Sequence, residues 1–336
     1  MDSITEIAKE YGIRPYHVNK ITEKVHMLND GRQRYVVKRS NLTEETLPVW
    51  ERVYHEAAAK KLAYIAPVCL TNNNKLYVEH SNAFFYMSPW LADNESSPED
   101  LVKSAMDVLG RIHATTANCV SIQHNPVSKR FKEYQQSCEG LYEESLHVVV
   151  AFEKQRYMSP FELLACTQFR IFDETLKRIG RHTADFLDNL EEDPVWNYSL
   201  CHGKPDLSHV VRREYTCFVN WDNAGYENPV FDLIFFIKSL VRDFHISFAA
   251  LKEATRSYLE QNRLSEKELH LAAIHLLNPF PYIKLLQHYA ESPSADTMVN
   301  QTKTLKIAGR ELQFGLDWSE FVYREIALGF DAESSD

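Results

Sequence analysis

Apolar residues recur along this chain with two different periods, and the change from one to the other divides it. The opening run SITEIAKEYG has a helical pattern, with Ser3 as N-cap, Glu6 as its capping-box partner and Gly12 at the exit. Residues 17–30 are polar but strand-like. Asn29, Asp30 and Gly31 then supply the turn of a hairpin into 34–39, where Tyr35, Val36 and Val37 favour a strand. A 3.6-residue stripe of Trp50, Val53, Tyr54, Ala57, Ala58 and Leu62 predicts a helix, and strand runs at 75–79 and 83–87 end in SPWLADN. Ser97 caps the next helix, with Pro98 at its first position and Glu99 and Asp100 over the positive dipole end. Leu101, Ala105, Val108, Leu109 and Ile112 form the stripe predicted to be buried.

Beyond this point the helical period dominates. Residues 125–192 are helical and charged, and Ser159-Pro160-Phe161-Glu162 opens a long second helix by the same capping logic. Residues 197–220 read as a β-hairpin, with Tyr198-Ser199-Leu200 and Thr216-Cys217-Phe218-Val219 as strands around Arg212, Arg213 and Glu214. That pairing sets Cys201 and Cys217 facing each other. Helices then run from Phe231 to about Leu328, and DAESSD is a solvated tail. With no repeat or linker in view, the expected organisation is a β-rich lobe at 1–92, a helical lobe at 93–330 and a tail at 331–336.

Composition narrows the function classes. At 336 residues, 44% hydrophobic and 25% charged, the chain is long enough for two substantial cores. The 37 basic residues against 47 acidic ones give a net charge of −10 without a basic, aromatic-interleaved patch, which argues against nucleic acid as a partner. No run reaches the ~20 apolar residues of a membrane span, and MDSITEIAKEYG lacks the basic and apolar regions of a signal peptide, so the expected site of synthesis and folding is the cytoplasm. The six cysteines are scattered without C-x-x-C spacing and read as small packed residues, Cys201 included, although its neighbour His202 raises the alternative of a nucleophile.

The chemistry is concentrated in CHGKPDLSHVV, 201–211, and FVNWDNAGYENPVFDL, 218–233. Together they resemble the paired motifs of the aminoglycoside phosphotransferase and choline kinase superfamily, H-G-D-x-x-x-x-N and I-D-[WFY]-[DE]-x-A-x-x-x-[DN]-P-x-x-D-L. His202, Gly203, Trp221, Asp222, Ala224, Pro229 and Asp232 fit that frame. Lys204 stands where the superfamily has its catalytic Asp, His209 falls on the metal-binding Asn, and Asn220 falls on the first metal-binding Asp. The resemblance extends to Lys38 as the strand lysine at the nucleotide phosphates, Glu56 as its helical partner, and SPWL as a hinge where main-chain groups of Met87, Trp90 and Leu91 would face an adenine. It extends also to LGRIHATT, whose His113 is a hydrogen-bonded core histidine.

The resemblance therefore implies an α+β, protein-kinase-like two-lobed fold with a small β-rich N-lobe and a large helical C-lobe. It implies ATP as the nucleotide, while the replaced acids speak against Mg²⁺: an ammonium repels a divalent ion, imidazole favours transition metals, and an amide keeps an oxygen but no charge. Lys204 is read as a repelling cation, as a point charge on nucleotide phosphates, or as a solvated loop lysine. Asp206 is the fallback base, Asp222 the remaining carboxylate at the metal, and His202, His113 and Asp232 are structural. Within the superfamily the degenerate loop and helix-rich C-lobe are most similar to the CotS-type Bacillus spore-coat proteins, more narrowly the YsxE branch. That implies a pseudokinase-like protein of the spore coat, with coat proteins as partners. The alternative is a small-molecule kinase for an alcohol or amino-sugar.

Overall fold

The computed structural model describes residues 2–91, 96–212, 214–243, 246–291 and 295–333. The expected boundary at residue 92 and the end of SPWLADN lie outside these residues, as do Arg213 and 334–336 of the tail; residues 331–333 continue the last helix. The fold is a mixed α+β one, β-rich toward the N-terminus and helical after it. The chain separates into two compact units, one of residues 1–118, 198–232 and 254–262, the other of 119–197, 233–253 and 263–336.

In the first unit, α1 (Asp2–Glu10) precedes β1 (His17–Lys20), β2 (Val25–Asn29) and β3 (Arg34–Arg39); then come α2 (Leu47–Ala59), β4 (Val78–His80), β5 (Ala83–Pro89) and α3 (Pro98–Thr116). The strands form an antiparallel sheet in the order β1-β2-β3-β5-β4. Helix α1 begins at Asp2, so Ser3 is inside it rather than its cap, while Gly12 leaves it at φ +72°, a backbone state that suits glycine. Asn29 and Asp30 accept hydrogen bonds from Gly31 N and from Arg32 N and Gln33 N, closing the turn foreseen between β2 and β3. Ile4, Ile7 and Ala8 of α1, with Tyr11 just after it, pack on Leu28, Tyr35, Val37, Phe85 and Met87 of the sheet. In α3 the Ser97 cap accepts from Asp100 N, but Val102 and Met106, rather than Leu101, complete the buried stripe.

Next in the chain are β6 (Asn118–Ser121), α4 (His124–Glu153), α5 (Pro160–Glu192), β7 (Val195–Cys201), β8 (Val210–Arg212), β9 (Thr216–Phe218) and β10 (Gly225–Glu227). Helices α6 (Pro229–Arg242), α7 (Phe248–Gln261), α8 (Glu266–Leu276), α9 (Phe280–Glu291) and α10 (Ala295–Glu333) complete it. The hairpin read at 197–220 is rearranged. Residues Ser199–Cys201 pair with Gly225–Glu227, and the partner of β9 is β8. Cys201 is therefore opposite Gly225 and Cys217 opposite Val211, so the cysteines do not face each other. A short strand can satisfy its ladder with either neighbour, and only tertiary packing chooses.

In the second unit Ser159 and Glu162 close the foreseen capping box of α5, whose Phe161, Ala165 and Phe172 enter a core with Tyr282, Leu286, Leu305 and Leu312 of α9 and α10. No described helix is long and apolar enough to cross a membrane.

Candidate functional site

The motif loop follows β7. Gly203 sits at φ +78°, and a Cβ there would stand 2.0 Å from the Asn223 carbonyl oxygen, so only glycine lets the two motif segments meet. Asp232, 2% exposed in the first turn of α6, accepts from His202 N at 2.5 Å and Gly203 N at 2.9 Å. His113 Nε2 lies 3.4 Å from the same carboxylate, and its Nδ1 is 2.8 Å from the Tyr258 hydroxyl. These contacts hold the start of the loop against the core.

His202 is fully buried, packed between the His209, Phe218 and Trp221 rings. Its Nε2–H donates to the Val219 carbonyl, and its Nδ1 accepts from Lys204 N. Burial pushes its pKa down to about 4, against the opposing pull of Asp232. Since the native state refuses a proton that the unfolded chain accepts near pH 6.5, this residue's contribution to stability is complete above that pH. It is lost progressively as pH falls toward 4, at roughly 1.4 kcal/mol per unit. An NMR titration of the imidazole is expected to show no midpoint above pH ~5, and urea midpoints are expected to fall through this window; a midpoint near 6.5 would remove the contribution.

The remaining polar groups form one directed chain. His209 Nδ1–H donates to the Lys204 carbonyl at 3.1 Å, and His209 Nε2 accepts from Asn220 Nδ2 at 2.6 Å. The Asn220 carbonyl oxygen accepts from Lys38 Nζ, which also binds Asp222 Oδ2 at 3.0 Å. Asp222 further accepts from Asn41 N and the Tyr86 hydroxyl, and its side chain is 1% exposed. Asn220 occupies the left-handed region at φ +68°, which asparagine tolerates better than most residues. Burial lowers the pKa of Lys38 despite the raising influence of Asp222, and burial also lowers that of His209.

Around this chain lies a cleft of about 500 Å³ with apolar walls from Val25, Val36, Ala66, Val68, Leu91 and Val219. Lys38, Trp90, Leu91, His209 and Asn220 border it. Three expectations need correction. Glu56 does not pair with Lys38: its carboxylate takes Lys60 Nζ at 2.9 Å and the Tyr226 hydroxyl, because the acid at 222 holds the lysine. Met87 is buried in the sheet core and its carbonyl accepts from Cys69 N, so it is not a cleft residue. The Trp90 N–H is also committed, to the Arg34 carbonyl, although Trp90 and Leu91 both line the cleft.

Lys204 has an exposed side chain. Asp206 caps the one-turn 3-10 helix Leu207–His209, accepting from Ser208 N; burial alone would raise its pKa, but the Ser208 hydrogen bonds and the nearby His209 and Lys204 together outweigh it and the net shift is downward. Such a carboxylate is a weakened base. Mg²⁺ does not fit the donor set: it calls for hard oxygen ligands, and the one carboxylate is already filled by an ammonium, a backbone N–H and a phenol. The walls are mostly apolar, the character that a ring-binding cleft needs.

The phosphotransferase enzyme family profile matches residues 13–269, most of the chain. The chain belongs to that family. Comparison with curated protein sequences gives no match. Among solved structures, the chain is similar to an aminoglycoside phosphotransferase from Alicyclobacillus acidocaldarius, with 13% identity, 95% and 96% of the two chains covered and a TM-score of 0.68. It is similar also to a spectinomycin phosphotransferase complexed with ADP and spectinomycin, at 14% identity, 95% and 98% coverage and TM-score 0.51. A third, the amicoumacin kinase hAmiN bound to AMP-PNP and Ca²⁺, has 12% identity, 92% coverage of both chains and TM-score 0.53. At these identities the likeness establishes the fold, which is protein-kinase-like. The family frame accounts for Lys38 and the 201–233 motifs; the Tyr86 hydroxyl and Asn41 N at Asp222 were missed, since nothing in their local sequence marks them as its partners.

Proposed function

We propose that this phosphotransferase-family protein acts by binding rather than by phosphoryl transfer, taking a nucleotide-like ligand without Mg²⁺. The observation that carries this reading is the Lys38 ammonium held between Asn220 and Asp222, so that an internal cation takes the place of an external one. Phosphoryl transfer depends on metal charge and a positioned base, and Lys204 and the capped Asp206 supply neither. The similarity to CotS-type, YsxE-like proteins adds a place of action, the spore coat, where the fold would serve as an assembly surface.

Calorimetry with ADP in the presence and absence of Mg²⁺ tests the binding half. Affinities within about twofold of each other are expected, a difference below ~0.4 kcal/mol. A tenfold gain with Mg²⁺, or phosphorylation of a small alcohol at ~1 s⁻¹ or faster, would overturn it. The second reading, a small-molecule kinase, is favoured by family membership and by the retained Asp222, and either of those results would establish it. Recovery of the protein from the coat fraction of spores is the expected result for location, and its absence there would end that part.

A further inference from the structure

Away from the cleft, helices α5 and α8 bring together a second set of ligand-type side chains. His182 and Asp185 stand three residues apart on α5, and Glu266 and His270 stand four apart on α8, spacings that put each pair on one helix face. His182 Nδ1 lies 3.0 Å from His270 Nδ1, and Asp185 Oδ2 lies 4.0 Å from that same His270 nitrogen. One donor atom from each of His182, Asp185 and His270 falls within 4.8 Å of the others. On the far side of the ring, Glu266 Oε1 is 3.8 Å from His270 Nε2.

We propose that His182, Asp185 and His270 form a binding site for a first-row divalent transition metal of the zinc class, oriented by Glu266. Two nitrogens bound to one tetrahedral zinc at ~2.05 Å stand about 3.3 Å apart, within a few tenths of an ångström of the present separation. Asp185 is 53% exposed and free to change rotamer, which closes the carboxylate onto the metal and leaves the fourth position to water. The donor set of two imidazoles and one carboxylate selects zinc, cobalt, nickel or copper over Mg²⁺ and Ca²⁺.

Without metal, one imidazole carries its proton on Nδ1 and donates to the other. On binding, that proton moves to Nε2, both Nδ1 lone pairs face the ion, and no proton need be released from the neutral pair. The Nε2–H of His270 then finds the Glu266 carboxylate, the carboxylate–histidine–metal arrangement that fixes a ligand's tautomer. Asp185 and Glu266 set negative charge beside the site against the nearby Arg178 and Arg181, of which Arg178 is paired with Glu174.

The full-length protein, stripped with a chelator, is to be titrated with Zn²⁺ and separately with Co²⁺. One Zn²⁺ equivalent is expected, lost in His182→Gln and weakened at least tenfold in Asp185→Asn, whose exposed position leaves folding intact. The Co²⁺ form is expected to show intense tetrahedral d–d bands without thiolate charge transfer. Absence of Zn²⁺ uptake, wild-type affinity in Asp185→Asn, or thiolate bands pointing to the cysteines would each overturn the assignment. None of these readouts depends on nucleotide binding.

Discussion

Changing Lys204 and Asn220 together to aspartate is expected to raise the affinity for Mg²⁺–ADP at least tenfold, about 1.4 kcal/mol, with binding of ADP alone unchanged or weaker. Two contributions add. Lys204 is exposed, so its repulsion of a divalent ion is screened and removing it accounts for about 1 kcal/mol rather than the larger figure of a buried charge. The new carboxylate at 220 contributes more, because it meets Asp222 across the ammonium of Lys38, and two carboxylates hold Mg²⁺ better than they hold one lysine. Aspartate has no N–H to offer His209 Nε2, so that ring must take a proton there, and its pKa rises from its present lowered value. Calorimetry with and without the metal, together with an NMR titration of His209, reads both effects. An unchanged Mg²⁺ dependence would mean that the cleft is closed to metal for a reason other than these two residues.

Asp232→Ala is expected to destabilise the protein by about 3 kcal/mol, because it strands the buried His202 N–H, takes the acceptor from the more exposed Gly203 N–H and removes the acid beside His113. Asp232→Asn keeps one acceptor oxygen and is expected to cost about half as much. Urea unfolding of both variants decides the matter. Equal midpoints for wild type and Asp232→Ala would show that the motif loop is held by something else.

How far these features were legible in the sequence depends on how local their causes are. Ser97, Ser159 and the Asn29-Asp30-Gly31 turn act within a few residues, and their geometry follows from side-chain chemistry alone. The family frame likewise brought Lys38, Asn220 and Asp222 to one place. What it could not rank was competition among partners far apart in the chain. Lys38 had both Glu56 and Asp222 to choose from, and the acid it met is the more deeply buried. Ser199 and Leu200 had two short strands to choose from and paired with the one nearer the chain's C-terminus. Met87 was misplaced for a related reason: strand alternation turns its side chain into the core, and its carbonyl is taken by Cys69, a residue on a segment with no visible strand pattern.

The directed chain from the Lys204 carbonyl through His209 and Asn220 to Lys38 bears on how substitutions at this site combine. Each member donates to one neighbour and accepts from, or is charge-matched to, the next, so a change at one position leaves its neighbour facing a like partner. Aspartate at 220 alone faces the His209 Nε2 lone pair until that ring takes a proton, and asparagine at 209 alone is shorter than the ring that joins Lys204 to Asn220. The effect of a substitution at one of these positions therefore depends on what occupies the next, a case of epistasis written in hydrogen-bond polarity.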